Sequence, residues 1–174
     1  MTASDVEAEL IAQFEVACGM LGVSFEDVRD NLRVLFIPTS DAAFVRRRAQ
    51  RRHGSALVAR ASEFKIRLVG ERLLYLLKGR EFTALARGTS LDDLCARAVQ
   101  AMSTVSASLG TLDYVILHTQ DDKSLRSVTK HLDTNEFSYR FKGDLTVTPA
   151  VAELIGVGGI AIVFVPESLP SNNS

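Results

Sequence analysis

The apolar positions near the N-terminus fall at helical spacing. Val6, Leu10, Phe14, Ala17 and Leu21 form one stripe, and Ser4 with Glu7 makes a capping box at its start. Gly19 and Gly22 close this helix, and Ser24-Phe-Glu-Asp27 repeats the box for a short helix ending near Asn31. Arg33-Val-Leu-Phe-Ile37 is an apolar run stopped by Pro38, the signature of a buried strand. Thr39-Ser40-Asp41 caps a following helix that runs to His53-Gly54. Alternation over Phe64-Lys-Ile-Arg-Leu68 predicts a strand at residues 63–69, and the apolar run after it predicts a helix from Glu71 to Lys78 ended by Gly79.

The second half is more regular. Ser90 and Asp93 cap an amphipathic helix striped by Leu91, Leu94, Ala98, Met102, Val105 and Leu109 and stopped by Gly110. A strand (Asp113–His118), a helix (Lys123–Leu132), a strand (Phe137–Lys142), a helix (Thr148–Ile155, Pro149 in its first turn) and an apolar strand (Ile160–Val165) follow. Strands alternating with helices at this spacing predict βαβ units. The fold class expected is therefore α/β, layered, with N-terminal helices plus a βαβαβ, mainly parallel sheet core. Residues 1–166 read as one α/β domain: an acidic helical segment (1–31), a basic segment (32–70), helices (71–110) and the βαβαβ core (111–166), with a flexible tail at 167–174.

Composition narrows the class. At 174 residues, 47% hydrophobic and 24% charged, the chain is long and apolar enough to bury a core. No apolar run approaches the roughly 20 residues of a membrane helix, and the acidic N-terminus has no apolar segment of a secretory signal. The expectation is a cytoplasmic protein with no membrane partner. Cys18 and Cys95 are too few for a disulfide framework or a four-cysteine zinc site and read as small buried hydrophobes.

Net charge is −1, but its distribution along the chain is uneven. Residues 44–67 hold eight basic side chains (Arg46, Arg47, Arg48, Arg51, Arg52, Arg60, Lys65, Arg67) against Glu63, whereas residues 1–31 hold seven acidic ones against Arg29. Five guanidiniums within seven residues cover more than half of a helix circumference and repel one another, and bidentate phosphate contacts relieve that repulsion. These arginines, extended by Arg60, Lys65 and Arg67, point to a non-enzymatic nucleic-acid-binding accessory protein of a viral or ribonucleoprotein assembly. It would grip backbone phosphates, RNA ahead of DNA, and need no cofactor. Opposite charge at 1–31 and 44–67 also suits a homodimer, or a protein–protein assembly module pairing the basic segment with a partner's acidic helix.

A metal-dependent alternative rests on Asp41 followed by Glu63-Phe-Lys65. Alternation places Glu63 and Lys65 on one strand face, where carboxylates hold Mg²⁺ and a lysine supports an attacking water. The Asp…Glu-x-Lys pattern resembles the motif of the restriction-endonuclease-like superfamily over residues 33–78, although Ser40 stands where proline commonly precedes the aspartate. The resemblance implies a Mg²⁺-dependent nuclease with Asp41, Glu63 and Lys65 as its residues. In topology, residues 112–166 are similar to a thioredoxin half, but Asp121-Asp-Lys-Ser124 occupies the thiol position and offers no dithiol exchange. Gly156-Val-Gly-Gly159 follows a helix and precedes a strand, the order of a C-cap and entry turn and the reverse of a phosphate loop. His118, beside Thr119, Asp121 and Asp122, ends a strand where open α/β sheets bind ligands.

Overall fold

The computed structural model describes residues 3–39, 72–79, 81–88, 90–133 and 139–167. Helix α1 (Ala3–Leu21) and the single turn α2 (Phe25–Val28) lead into β1 (Arg33–Ile37). Strands β2 (Arg72–Lys78) and β3 (Glu81–Gly88) precede α3 (Leu91–Leu109) and β4 (Leu112–His118). Helix α4 (Asp122–Asp133), β5 (Tyr139–Thr146), α5 (Pro149–Ile155) and β6 (Ile160–Pro166) complete the order. The strands form one sheet in the order β3-β2-β1-β6-β4-β5, so the class is α/β.

Both faces of the sheet are covered, and that explains the uninterrupted apolar run of β6. Ile160, Ile162 and Phe164 pack with Leu94, Cys95 and Met102 of α3 and Val128 and Leu132 of α4. Ala161, Val163 and Val165 pack on the other face with Leu10, Phe14 and Cys18 of α1 and Val151 and Leu154 of α5. Alternation with period two sends successive residues to opposite layers, and each fully buried aliphatic contributes about 1.5–3 kcal/mol. Phe36 anchors the α1 layer, stacked 5.5 Å from Phe82 and tilted 6.3 Å from Phe14. Gln13 Oε1 accepts the Thr148 N–H at 3.0 Å, and Thr148 Oγ1 donates to Glu9 Oε2 at 3.2 Å, fixing α1 to the start of α5.

The cap at α3 is the one the sequence predicts, and α5 begins one residue later than expected, with Thr148 as its cap. Ser90 accepts the Asp93 N–H, and Thr148 accepts that of Val151 with Pro149 following. The mainly parallel sheet is corrected: only β4 and β5 pair in parallel, and β6 is antiparallel to both β1 and β4. Helix length decides the direction. The twelve residues of α4 rise about 18 Å, nearly the length of a seven-residue strand, and return the chain to the start of the sheet. The seven residues of α5 rise only about 10 Å, so the chain re-enters the sheet at the end it left, with Ile160 opposite His118.

The helix expected over residues 71–78 is strand β2, and the all-helical stretch expected over 71–110 contains β3 as well. Leu73–Leu77 is apolar at every position and fits either period. Tertiary pairing with β1 makes it a strand, and Gly79 (φ 61°) sits in the β2–β3 hairpin, with Lys78 paired to Glu81, where a helix stop was expected. The expected helix at 41–53 and strand at 63–69 lie outside the described residues.

Candidate functional site

Strands β1, β3, β4 and β5 point the same way and end where β2 and β6 begin, so all six strands have an end at this edge of the sheet. Arg72, the first residue of β2, donates from Nε to the Pro38 carbonyl at 3.1 Å and from Nη2 to those of Ile37 (3.5 Å) and Gly158 (3.4 Å). Thr119 Oγ1 accepts the Gly158 N–H at 2.8 Å, and Ser124 Oγ donates to the Gly158 carbonyl at 2.7 Å. Asp121 accepts the Lys123 N–H at 3.1 Å, which caps α4. The buried His118 accepts the Gln120 N–H on Nδ1 at 3.1 Å, so its proton sits on Nε2, 3.1 Å from Asp144 Oδ1. Gln120 reaches this position with φ 64°, an uncommon conformation for a residue with a Cβ.

This edge binds chiefly itself. Its donors and acceptors hold the 156–159 loop against the ends of β1 and β4, and Gly156 (φ 83°) lies against Thr39 with no room for a side chain. Among the described residues no cluster of three metal-ligating side chains is present.

A second concavity lies on the other side of β2, between β3 and α3. It is an open surface depression of about 240 Å³. It is lined by the buried Leu74 of β2, the exposed Leu85 and its neighbour Ala86 of β3, and Arg97, Gln100, Ala101 and Thr104 of α3. The large apolar side chains of α3 (Leu94, Val99, Met102) belong to the buried core, and Ala101 is the one apolar residue that the helix contributes to the groove's lining. Nε of Arg97 donates to Asp93 one turn earlier at 3.3 Å, which orients the guanidinium along the helix. The groove's lining is thus as polar as it is apolar, and its one cation, Arg97, is ion-paired with Asp93.

None of the residues singled out for phosphate binding (Arg46, Arg47, Arg48, Arg51, Arg52, Arg60, Lys65, Arg67) or for the nuclease alternative (Asp41, Glu63, Lys65) falls within the described residues. His118 is where the sequence puts it, at a strand end, but committed to Asp144 and Gln120. The groove was missed. Its one visible trace in the sequence is the small residue Ala101 beside the helix stripe, and its other wall depends on β3, which shows no alternation.

No protein-family model matches the chain, and no curated protein matches it. Solved structures do. A DegV family protein from Thermus thermophilus, described for its fatty acid binding, superposes with a TM-score of 0.65 at 13% identity, over 81% of this chain and 48% of that one. A fatty acid binding DegV family protein from Streptococcus agalactiae gives 0.59 at 13%, over 87% and 53%. DegV, a fatty acid binding protein from Bacillus subtilis, gives 0.58 at 10%, over 82% and 47%. The chain thus has a DegV-like fold and spans about half the length of these neighbours.

That finding overturns the functional reading of the sequence. Neighbours described as fatty-acid-binding turn attention from phosphates to lipids. They displace the RNA- or DNA-binding accessory protein, the Mg²⁺-dependent nuclease, and the homodimer or assembly module built on segments 1–31 and 44–67. The arginine block misled because local charge density reports an affinity for anions without identifying the anion.

Proposed function

We propose that this chain binds a long-chain carboxylic acid, laying the acyl chain on apolar surface and pairing the carboxylate with a protein cation. The observation that carries the reading is the superposition of about four-fifths of the chain on solved DegV family structures described as fatty-acid-binding. The physical demands of such a ligand are few: a mostly apolar bed and a small number of placed polar groups. Because the chain spans about half of those structures, it supplies one part of the binding architecture they contain. No helix among the described residues is long and apolar enough to cross a membrane. A cytoplasmic setting belongs to this proposal too.

The test is displacement of a fluorescent fatty acid, cis-parinarate, from the delipidated chain by oleate. Saturable binding that oleate displaces and oleyl alcohol displaces far less supports the reading. Failure of the chain to bind either acid below its micellar concentration removes it.

A further inference from the structure

We propose that His118 is a proton-operated latch. Its neutral ring locks the turn after β4 and, through Thr119, the 156–159 loop, and protonation of the ring releases both. The inference concerns the sheet edge itself and does not depend on which ligand the chain binds. It starts from the two nitrogens of one buried ring. Nδ1 lies 3.1 Å from the Gln120 backbone nitrogen, whose N–H can only donate, so Nδ1 carries a lone pair and no proton. Nε2 therefore carries the ring proton and donates it to Asp144 Oδ1 at 3.1 Å. Among the described residues these are the ring's two partners, and they respond to acid in opposite ways.

A proton arriving from solvent takes the lone pair on Nδ1, the one position from which the ring accepts. The resulting imidazolium donates from both nitrogens. Toward Asp144 the hydrogen bond gains charge and strengthens. Toward Gln120 two N–H groups face each other across 3.1 Å, and that hydrogen bond is lost. The ring stays with Asp144, so the backbone of Gln120 is what moves. Gln120 is set to move: among the described residues it is the one non-glycine with positive φ (64°), a conformation that persists only where its surroundings hold it. Thr119, between His118 and Gln120, passes the change on, because its Oγ1 accepts the Gly158 N–H at 2.8 Å. Ser124 and Arg72 keep the Gly158 carbonyl, so the loop loosens without detaching.

The surroundings make Asp144 the charge that governs the latch. Its side chain is half-exposed, which gives solvent protons access to the pair. The other charged groups on the elements meeting here are Lys142 on β5, Asp121, Asp122 and Lys123 at the start of α4, Glu153 on α5 and Arg72 on β2. Strand β6 and the end of β1 carry none. Asp121 is bonded to the Lys123 N–H and Arg72 to the Pro38 carbonyl, and neither is bonded to the ring. Asp144 alone stands within hydrogen-bond distance of it and favours its charged form.

The experiment follows two signals in the full chain by NMR from about pH 8 to about pH 5, the range in which histidines ordinarily change charge. One is the pair of His118 ring nitrogens, and the other is hydrogen exchange at the Gln120 and Gly158 amides, corrected for the intrinsic rate. Expected at the alkaline end is a neutral ring protonated on Nε2. On acidification the protection of both amides should fall about tenfold, in step with charging of the ring. His118→Asn places an amide oxygen near the position of Nδ1 and takes up no proton, so the fall should disappear. Asp144→Asn keeps an acceptor for Nε2–H but removes the charge, and the fall should move to lower pH. Circular dichroism confirms folding, and the half-exposed Asp144 carries the test alone if the buried substitution does not fold. A fall that survives in folded His118→Asn, keeps its wild-type pH in Asp144→Asn, or is absent while the ring charges overturns the proposal. So does a ring protonated on Nδ1 at the alkaline end, or one that stays neutral until the chain unfolds.

Discussion

Gly156 shows how little latitude single residues have at the sheet edge. Its backbone is left-handed (φ 83°), and an added Cβ would collide with the Thr39 side chain. Gly110 is equally left-handed (φ 88°) but has open space around it. Alanine at Gly110 should cost only the backbone strain, about 1–3 kcal/mol, whereas alanine at Gly156 should cost at least about 2 kcal/mol more because β1 and the loop must separate. Equilibrium urea denaturation of the two variants measures the difference, and equal losses would show that the Thr39 contact yields. The two thiols are a second residue-scale probe. Burial pushes the Cys18 thiol up to about 12 and that of Cys95 up to about 11. Both stay protonated at neutral pH and are inert as nucleophiles. Iodoacetamide labelling followed by mass spectrometry should find them unmodified in the native chain and modified in urea. Since Cys18 sits in the α1 layer and Cys95 in the α3 layer, their separate rates report the opening of each face.

At the level of elements, the sequence specifies those whose signals are local. The cap at Ser90, the proline at 149 and the stripe through Leu94, Ala98 and Met102 are chemistry within a few residues of the chain, and they place α3 and, to within one residue, α5. Strand direction is not local. The run Ile160–Val165 announces two covered faces, which antiparallel β6 possesses as fully as a parallel strand would. Leu73–Leu77 likewise reports burial without choosing a period, and β3, whose Thr83, Ala84 and Leu85 are all exposed, gives no alternation to read. Between elements, α3 and α4 are joined at the surface by His131 Nε2, 2.9 Å from Asp92 Oδ1, with Lys130 and Ser127 nearby. The hydrogen bond to His131 holds the Asp92 carboxyl below its ordinary value of 3.8. A carboxyl lowered in the folded state adds stability that is present above its ordinary range and disappears as pH falls through the lowered value. The urea midpoint of the wild type should therefore exceed that of Asp92→Asn at neutral pH, and the gap should close in acid. A gap independent of pH would mean that the carboxylate charge is not what joins the helices.

For the molecule as a whole, class and function separate cleanly. Periodicity suffices for an α/β fold because hydrophobic burial is written along the whole chain. The candidate site is a gap between elements: it needs the position of Ala101 relative to Leu85 and Ala86, and no spacing in the sequence encodes that relation. The conspicuous feature, the arginines of residues 46–52, drew the reading toward nucleic acid, and the DegV-like fold redirects it to lipid. The central claim is that the folded chain holds a fatty carboxylate. Because oleate is also a detergent, the most direct measurement is equilibrium urea unfolding of the delipidated chain at rising oleate concentrations, all below the micellar limit. A ligand held by the native state alone adds about 2.7 kcal/mol at a hundred times its Kd, so the midpoint should climb with the logarithm of oleate concentration. A midpoint that stays fixed or falls would contradict the account.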